Sequence, residues 1–336
     1  MQQLRNLVDQ ILVPHTAFTL AAAKIDQCFL AADGANEPIC IAVIGESRTG
    51  KSRVQEYVQS LHSIVRLEDG LVVPVFRVVT PSLPTIKNLV ETMLEALGDP
   101  KFDKGTEAAK TRRLIKLLKK VRTRMVVLDE FQHFYDKGSH KVWYAVANWL
   151  KSLIDQTKVA LLVAGLPSCR AVIEQNEQLR GRFMAPVNMP RFDWQDAASR
   201  AEFIAILSAF HEVLSQHFDL PVLDTEEMAF RMYCATGGLI GYLTKVLRHT
   251  VWNAVDAGTR SITLEDLAEG HKAAIWDAES TSSIPRPFER SFSVTPTVEL
   301  LALIRQIGEA SPEPERPRRV RRKASEPKLG QVLSAA

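Results

Sequence analysis

The chain has 336 residues, 46% of them hydrophobic and 24% charged, with a formal net charge of +3, a length that suits one large domain and a smaller companion. No apolar run approaches the ~20 residues that span a bilayer, and the start MQQLRNLVDQILVPHTAF lacks a basic stretch followed by an apolar core and cleavage site, so membrane insertion and export are not expected and a cytoplasmic location is. The four cysteines (Cys28, Cys40, Cys169, Cys234) are widely spaced with no CxxC or Cys/His cluster, which argues for reduced thiols and against a metal-stapled domain.

In chain order, apolar runs rich in β-branched residues alternate with helical patterns. The spacing predicts a strand at CIAVIG, a helix from Lys51 to about Ile64, a strand VVPVFRVV, a helix TIKNLVETMLEALG and a basic helix KTRRLIKLLKKVRTR. A strand RMVVLDE, a helix VWYAVANWLKSLI, a strand VALLVAG and a short helix follow. Continuous apolar strands with helices between them imply a parallel sheet covered on both faces. From about Phe192 the β-rich runs stop, and four amphipathic helices follow, two of them starting at Thr225 and Thr263 with acidic residues in the first turn. The expected fold is therefore α/β, a parallel sheet flanked by helices and followed by a smaller all-helical lid. The expected divisions are 1–35, an N-terminal helical segment; 36–191, a nucleotide-binding core; 192–278, the lid; and 279–336, a linker, a short helix and a basic disordered tail.

The stretch GESRTGKS carries the chemistry. Gly45 and Gly50 frame a GxxxxGK[ST] pattern between a strand and a helix, so Gly45, Glu46, Ser47, Arg48, Thr49, Gly50, Lys51, Ser52 and Arg53 are the candidate phosphate-binding residues. Lys51 would reach the β- and γ-phosphates, and the Ser52 hydroxyl would ligate Mg2+. Asp129, ending the strand MVVLDE, is the second metal candidate, and Glu130 beside it is placed to activate water. An acid there favours ATP hydrolysis over transfer to a small acceptor. In oligomeric ATPases an arginine from a neighbouring subunit can stabilise the transition state. QLRGRF, between the fourth strand and the last, offers Arg182 first and Arg180 second.

With these motifs in place the chain resembles the AAA+ ATPases of the TniB and TnsC type, regulators of DNA transposition. The resemblance runs from about Val13 to Ile275 and is carried by VPHTAF, GESRTGKS, VPVFRVVTPSLPTIKNLVETMLEALGDP, VVLDEFQHF, LLVAGLPS, QLRGRFMAPVNMPRFDW and FDLPV. It implies ATP and Mg2+ as cofactors and a homo-oligomer, ring or helical filament, on double-stranded DNA. It implies links to a transposase and a target-selection factor, with hydrolysis driving disassembly. On these positions it gives Lys51, Ser52 and Asp129 to phosphate and metal, Glu130 to water and Arg182 to a neighbour's site, with His15 and Thr16 near the adenine.

Two departures from the pattern stand out. Gly241 in GGLIGYL occupies the place of a lid sensing arginine, for which Lys245 or Arg248 is a substitute, and AGLPS ends the fourth strand without an asparagine or threonine, leaving Ser168 as a helix cap. His133 is either a relay of γ-phosphate status or a packed imidazole, and RPFERSF resembles short Pro-Phe segments that contact partner proteins. For DNA phosphates, Lys101, Lys104, Lys110, Arg112 and Arg113 are candidates, with Lys116, Lys119 and Lys120 turned to solvent because Leu114, Leu117, Leu118 and Val121 form the apolar stripe. A solvated helix face accounts for the same charges, and the basic tail PERPRRVRRKASEPK is open to both readings. The rival functions are a replication initiator or helicase loader and a nucleotide-switch signalling ATPase.

Overall fold

The four longest apolar runs become the strands of one parallel sheet. In the computed structural model, which describes residues 2–275 and 286–308, these are β1 (Ile41–Ile44), β4 (Val75–Val79), β5 (Met125–Asp129) and β6 (Ala160–Gly165), with a two-residue β7 (Val187–Asn188) at one edge. The order is β4-β5-β6-β1-β7. Every strand ends its run of buried residues at the same rim, where the loops after β1, β4, β5 and β6 gather.

Strand residues alternate between two apolar layers, as the pleat requires. Ile41, Val43, Val75, Met125, Val127 and Leu162 face a layer with Phe18, Ile25 and Phe29 of α3 (Thr16–Ala31) and Val54 and Val58 of α4 (Lys51–Leu61). Ile44, Phe76, Val78, Val126, Leu128 and Leu161 face the other layer. It is filled from α5 (Ile86–Ala96), α6 (Glu107–Lys120) and α8 (His140–Thr157). The lid has its own core, built from α11 (Ala197–Leu214), α12 (Glu226–Thr236), α13 (Ile240–Ala257) and α14 (Leu264–Ala274). Asp196, Thr225 and Thr263 cap three of these helices, and Thr263 forms a capping box with Asp266.

The α/β class and the helical lid agree with the sequence reading; several boundaries move. The run 72–79 divides at Pro74, which has no N–H for a ladder. Val72 joins a separate antiparallel hairpin, β2 (Val65–Leu67) with β3 (Gly70–Val72), and only Val75–Val79 enters the sheet. Helix α4 stops at Leu61, three residues short of Ile64. The basic helix begins earlier, capped by Thr106, and ends at Lys120.

The N-terminal segment serves two layers. Its first turns, α1 (Gln2–Arg5) and α2 (Leu7–Gln10), place Val8, Leu4 and Leu7 in the lid core, whereas α3 lies on the sheet. The described part of the linker, from Arg286, is likewise not free. Phe288 of RPFERSF is buried in the lid core, Arg231 donates to the carbonyls of Pro287 (2.6 Å) and Glu289 (3.1 Å), and its guanidinium lies 5.6 Å over the Phe292 ring. That segment is committed to its own lid, which corrects its reading as a partner-binding arm. The helix predicted at VELLALIRQIG is α15 (Val298–Arg305), with Leu301 and Ile304 in the same core. The basic tail lies outside the described residues.

Candidate functional site

At the rim where β1 ends, the chain turns over Gly45–Gly50 into α4. Gly50 has φ 93° and Arg48 φ 66°, so the loop curls left-handed at two points. A Cβ on Gly45 would overlap the Met189 carbonyl oxygen, so glycine is required where the chain leaving β7 crosses the loop. Thr49 Oγ1 donates to the Glu46 carbonyl (2.9 Å), bracing the turn. Lys51 Nζ lies inside it, donating to the carbonyls of Gly45 (2.8 Å) and Glu46 (2.5 Å). Burial lowers its pKa, opposed by the nearby Glu130 and Asp129 carboxylates. Ser47 and Arg48 are exposed on the loop, while Arg53, in the first turn of α4, donates to the Asp9 carbonyl (2.8 Å) and lines the cavity beside Gly50.

The expected metal pair meets. Ser52 Oγ donates to Asp129 Oδ2 at 3.1 Å, across 77 residues of sequence. Asp129 is buried; desolvation raises its pKa, but donation from Arg77 and Gln55 outweighs this and holds the carboxyl below its usual range. Two hard oxygen donors side by side at a phosphate loop fit Mg2+, which keeps waters and takes substrate phosphates for its remaining ligands.

Glu130 stands next to them in an unusual backbone state, φ 53°, which costs a non-glycine residue roughly 1–2 kcal/mol. Gln132 holds it. Its Nε2 donates to Glu130 Oε2 (2.5 Å), and its Oε1 accepts from Leu166 N (3.2 Å) just past β6. A Cβ on Gly165 would overlap Gln132 Oε1, so that glycine makes room for the amide. Gln132 thus ties the acid's own loop to the segment that follows β6. His133 is fastened elsewhere, Nδ1 to Thr80 O at 2.9 Å, and Ser168 makes no side-chain cap bond.

The lid closes on the loop through Gly241. Its N–H donates to Arg48 O (2.9 Å), and a Cβ there would lie 2.8 Å from Arg48 Cβ and 3.0 Å from Arg48 O. A side chain at position 241 would therefore meet the phosphate loop, and Arg48 lies 4.5 Å over the Tyr242 ring. Arg248 does not substitute freely, since its charge is paired with Asp9. Between lid, N-terminal segment and loop lies a cavity of about 350 Å³ lined by Ile11, Val13, His15, Gly50, Ile240 and Thr244, among others. His15 is both a wall of this cavity and the cap of α3, its Nδ1 accepting from Phe18 N, while Thr16 N donates to Glu202 outside the cavity. Arg191 was not anticipated: it ion-pairs with Glu46 of the loop and donates to the carbonyls of Gly237 (3.3 Å), Arg305 (2.8 Å) and Ile307 (3.2 Å).

Arg182 lies at the opposite end of β1. Its carbonyl accepts from Cys40 N, and its side chain, 13% exposed, is paired with Asp155 at 2.5 Å. Arg180, in the last turn of α10 (Glu177–Arg180), is exposed. Of the two candidates, Arg182 is thus held within its own chain and Arg180 is open to solvent. Lys110 is also corrected as a DNA contact, since it is fully buried and ion-paired with Glu91. Arg113 is spent on the preceding loop, donating to Asp99 (2.9 Å) and Lys104 O (2.9 Å) and to the Lys101 carbonyl. Lys101, Lys104, Arg112, Lys116, Lys119 and Lys120 are exposed, with Lys104 beside Asp103.

The model of the family described as bacterial TniB protein matches residues 4–194, more than half of the chain. Solved structures of similar fold include the Aeropyrum pernix ORC2 protein in ADPNP-ADP complexes, at 14% identity over 81% of this chain and 72% of that one, TM-score 0.58. The Aeropyrum pernix ORC1 protein in complex with DNA is similar at 15% identity over 80% and 69%, TM-score 0.55. Cdc6p from Pyrobaculum aerophilum follows at 13% identity over 81% and 71%, TM-score 0.54. At these identities the likeness establishes the fold alone, a parallel sheet flanked by helices with a helical C-terminal region. No curated protein matches the chain in sequence.

Proposed function

The chain belongs to the TniB family, and from that membership we propose that it is a cytoplasmic, Mg2+-dependent ATPase that assembles on duplex DNA and links target-site selection to a transposase. The observation that carries the ATPase reading is the convergence of Lys51, Ser52, Asp129 and Glu130 at one rim of the sheet, from segments 77 residues apart. Mg2+, when bound, neutralises charge on the phosphate oxygens and leaves the γ-phosphoryl open to attack. Ser52 and Asp129 would hold it. Amides of the Gly45–Gly50 turn and Lys51 bind the phosphates; Glu130, oriented by Gln132, accepts a proton from the attacking water. The cavity beside Gly50 suits the nucleobase, with Val13, His15 and Ile240 among its walls and Arg53 and Arg248 among its polar groups.

Arg180, exposed in the last turn of α10, suits a neighbour's γ-phosphate, so the active site is shared between copies. The exposed lysines and arginines of residues 101–120 suit nonspecific contact with DNA phosphates. Imaging by negative stain with duplex DNA and either ATP or ADP tests the reading. Ordered assemblies with ATP and their loss with ADP are expected; particles that stay single under both nucleotides sink it.

A further inference from the structure

The carboxylate that would hold the metal already has a cation on it. Arg77, the single charged residue of β4, projects onto the α4 face in register with Val127, two residues before Asp129 on the same face of the sheet. Its Nη2 donates to Asp129 Oδ2 at 2.8 Å, the same oxygen that accepts from Ser52 Oγ. Its Nη1 lies 3.4 Å from Glu56 Oε1, on the helix that follows the phosphate loop. Its Nε is buried with no hydrogen-bond partner among the described residues. The guanidinium is thus shared between two carboxylates of different character: Asp129 is buried, and Glu56 is 48% exposed on its side chain.

Ser52 and Asp129 would hold a divalent cation, and a guanidinium on the same carboxylate would oppose it, since like charges at such separations repel strongly in a partly dry site. The guanidinium has somewhere to go, because its other amine already touches Glu56. Resting on the ATPase reading above, we infer that Arg77 is a built-in competitor for the metal position, one that leaves Asp129 for Glu56 when the metal–nucleotide complex loads. Arg77 is then a positioning residue. It keeps a buried carboxylate paired, and it raises the Mg2+ concentration needed to load the site.

The test is binding of a fluorescent ATP analogue to the full chain, titrated with Mg2+ and repeated in excess chelator. Arg77→Gln should lower the half-saturating Mg2+ concentration by about tenfold while leaving chelator-phase nucleotide affinity within about twofold. Arg77→Lys should restore most of the wild-type midpoint. Glu56→Gln, at a half-exposed position that tolerates change, should raise the midpoint by about threefold because the arginine loses its second acceptor. An unchanged or raised midpoint in Arg77→Gln overturns the inference, as does an unchanged midpoint in Glu56→Gln. Loss of chelator-phase affinity in Arg77→Gln also overturns it, by making Arg77 a phosphate ligand. A wild-type chain that binds no nucleotide removes the ATPase reading and this inference together, whereas a wild type that binds normally confines any failure to the role of Arg77.

Discussion

Replacing Gln132 by alanine separates binding from hydrolysis. The amide makes two bonds, one to the Glu130 carboxylate at 2.5 Å and one from Leu166 N at 3.2 Å, and it touches none of Lys51, Ser52 or Asp129. A hydrogen bond to a charged group contributes roughly 1.5–3 kcal/mol, and the Leu166 N–H left unpaired costs roughly 1–3 kcal/mol more. Glu130 keeps its strained φ of 53° without the partner that aims it. Since general-base catalysis typically contributes about 10²–10⁴-fold, a base that is present but misaimed should lower kcat by about a hundredfold. Nucleotide affinity should stay within about twofold of wild type. Gly165→Ala reaches the same point from the other side, its Cβ evicting Gln132 Oε1. The assay is phosphate release at saturating ATP on duplex DNA, alongside equilibrium nucleotide binding. A Gln132→Ala enzyme with kcat within about threefold of wild type would refute the claim that Gln132 orients Glu130, and a parallel loss of affinity would move its role to binding.

Lys110→Met keeps the volume but leaves the part-exposed Glu91 with Lys87 alone, so stability should fall by roughly 1–3 kcal/mol, while the DNA affinity of the folded fraction is unchanged; reduced affinity at full stability would restore Lys110 as a DNA contact. Gly241→Arg, which rebuilds a lid arginine, should weaken nucleotide binding rather than strengthen it, since its Cβ meets Arg48 at 2.8 Å; binding measured by fluorescence decides the sign. Arg180→Ala should abolish assembly-dependent hydrolysis and Arg182→Ala should mainly lower stability, because the latter is paired with Asp155; phosphate release and thermal melts give the split, and the opposite pattern reinstates Arg182. Burial lowers the pKa of His271, whose Nε2 donates to Ala235 O at 3.0 Å, so the folded lid prefers the neutral ring. With the folded pKa below the ordinary 6.5, this contribution is intact above pH 6.5 and is lost as pH falls, by up to about 1.4 kcal/mol per unit, and His271→Gln should flatten that slope in melts between pH 7 and 5.

The sheet, the lid and the phosphate loop were legible because each leaves a local mark: apolar runs of strand length, capped amphipathic helices, and glycines at fixed spacing. Ser52 and Asp129 were legible as ends of such elements, and they meet because parallel strands bring their ends to one rim. Lys110 was misread although a signal existed. It lies four residues before Leu114, on the apolar stripe, and a partner on α5 lets it stay there. Arg77 was likewise visible as a charge in the apolar run VFRVV, but which acid it meets depends on strand order, which spacing does not specify. Gln132 and Arg191 make bonds to segments remote in sequence, and no local pattern announces them. The Pro- and Ser-rich stretch near residue 290 read as a linker because turn residues outnumber aromatics, yet Phe288 alone is enough to dock it.

The fan of bonds made by Arg191 sets a practical limit on shortening the chain. Its anchor points are the carbonyls of Arg305 and Ile307 at one extremity and Glu46 beside the glycine turn at the other. A deletion meant to strip only the basic extension has to stop beyond Gly308, because one cut even a few residues earlier would slacken the turn from behind and mimic a defect in nucleotide handling.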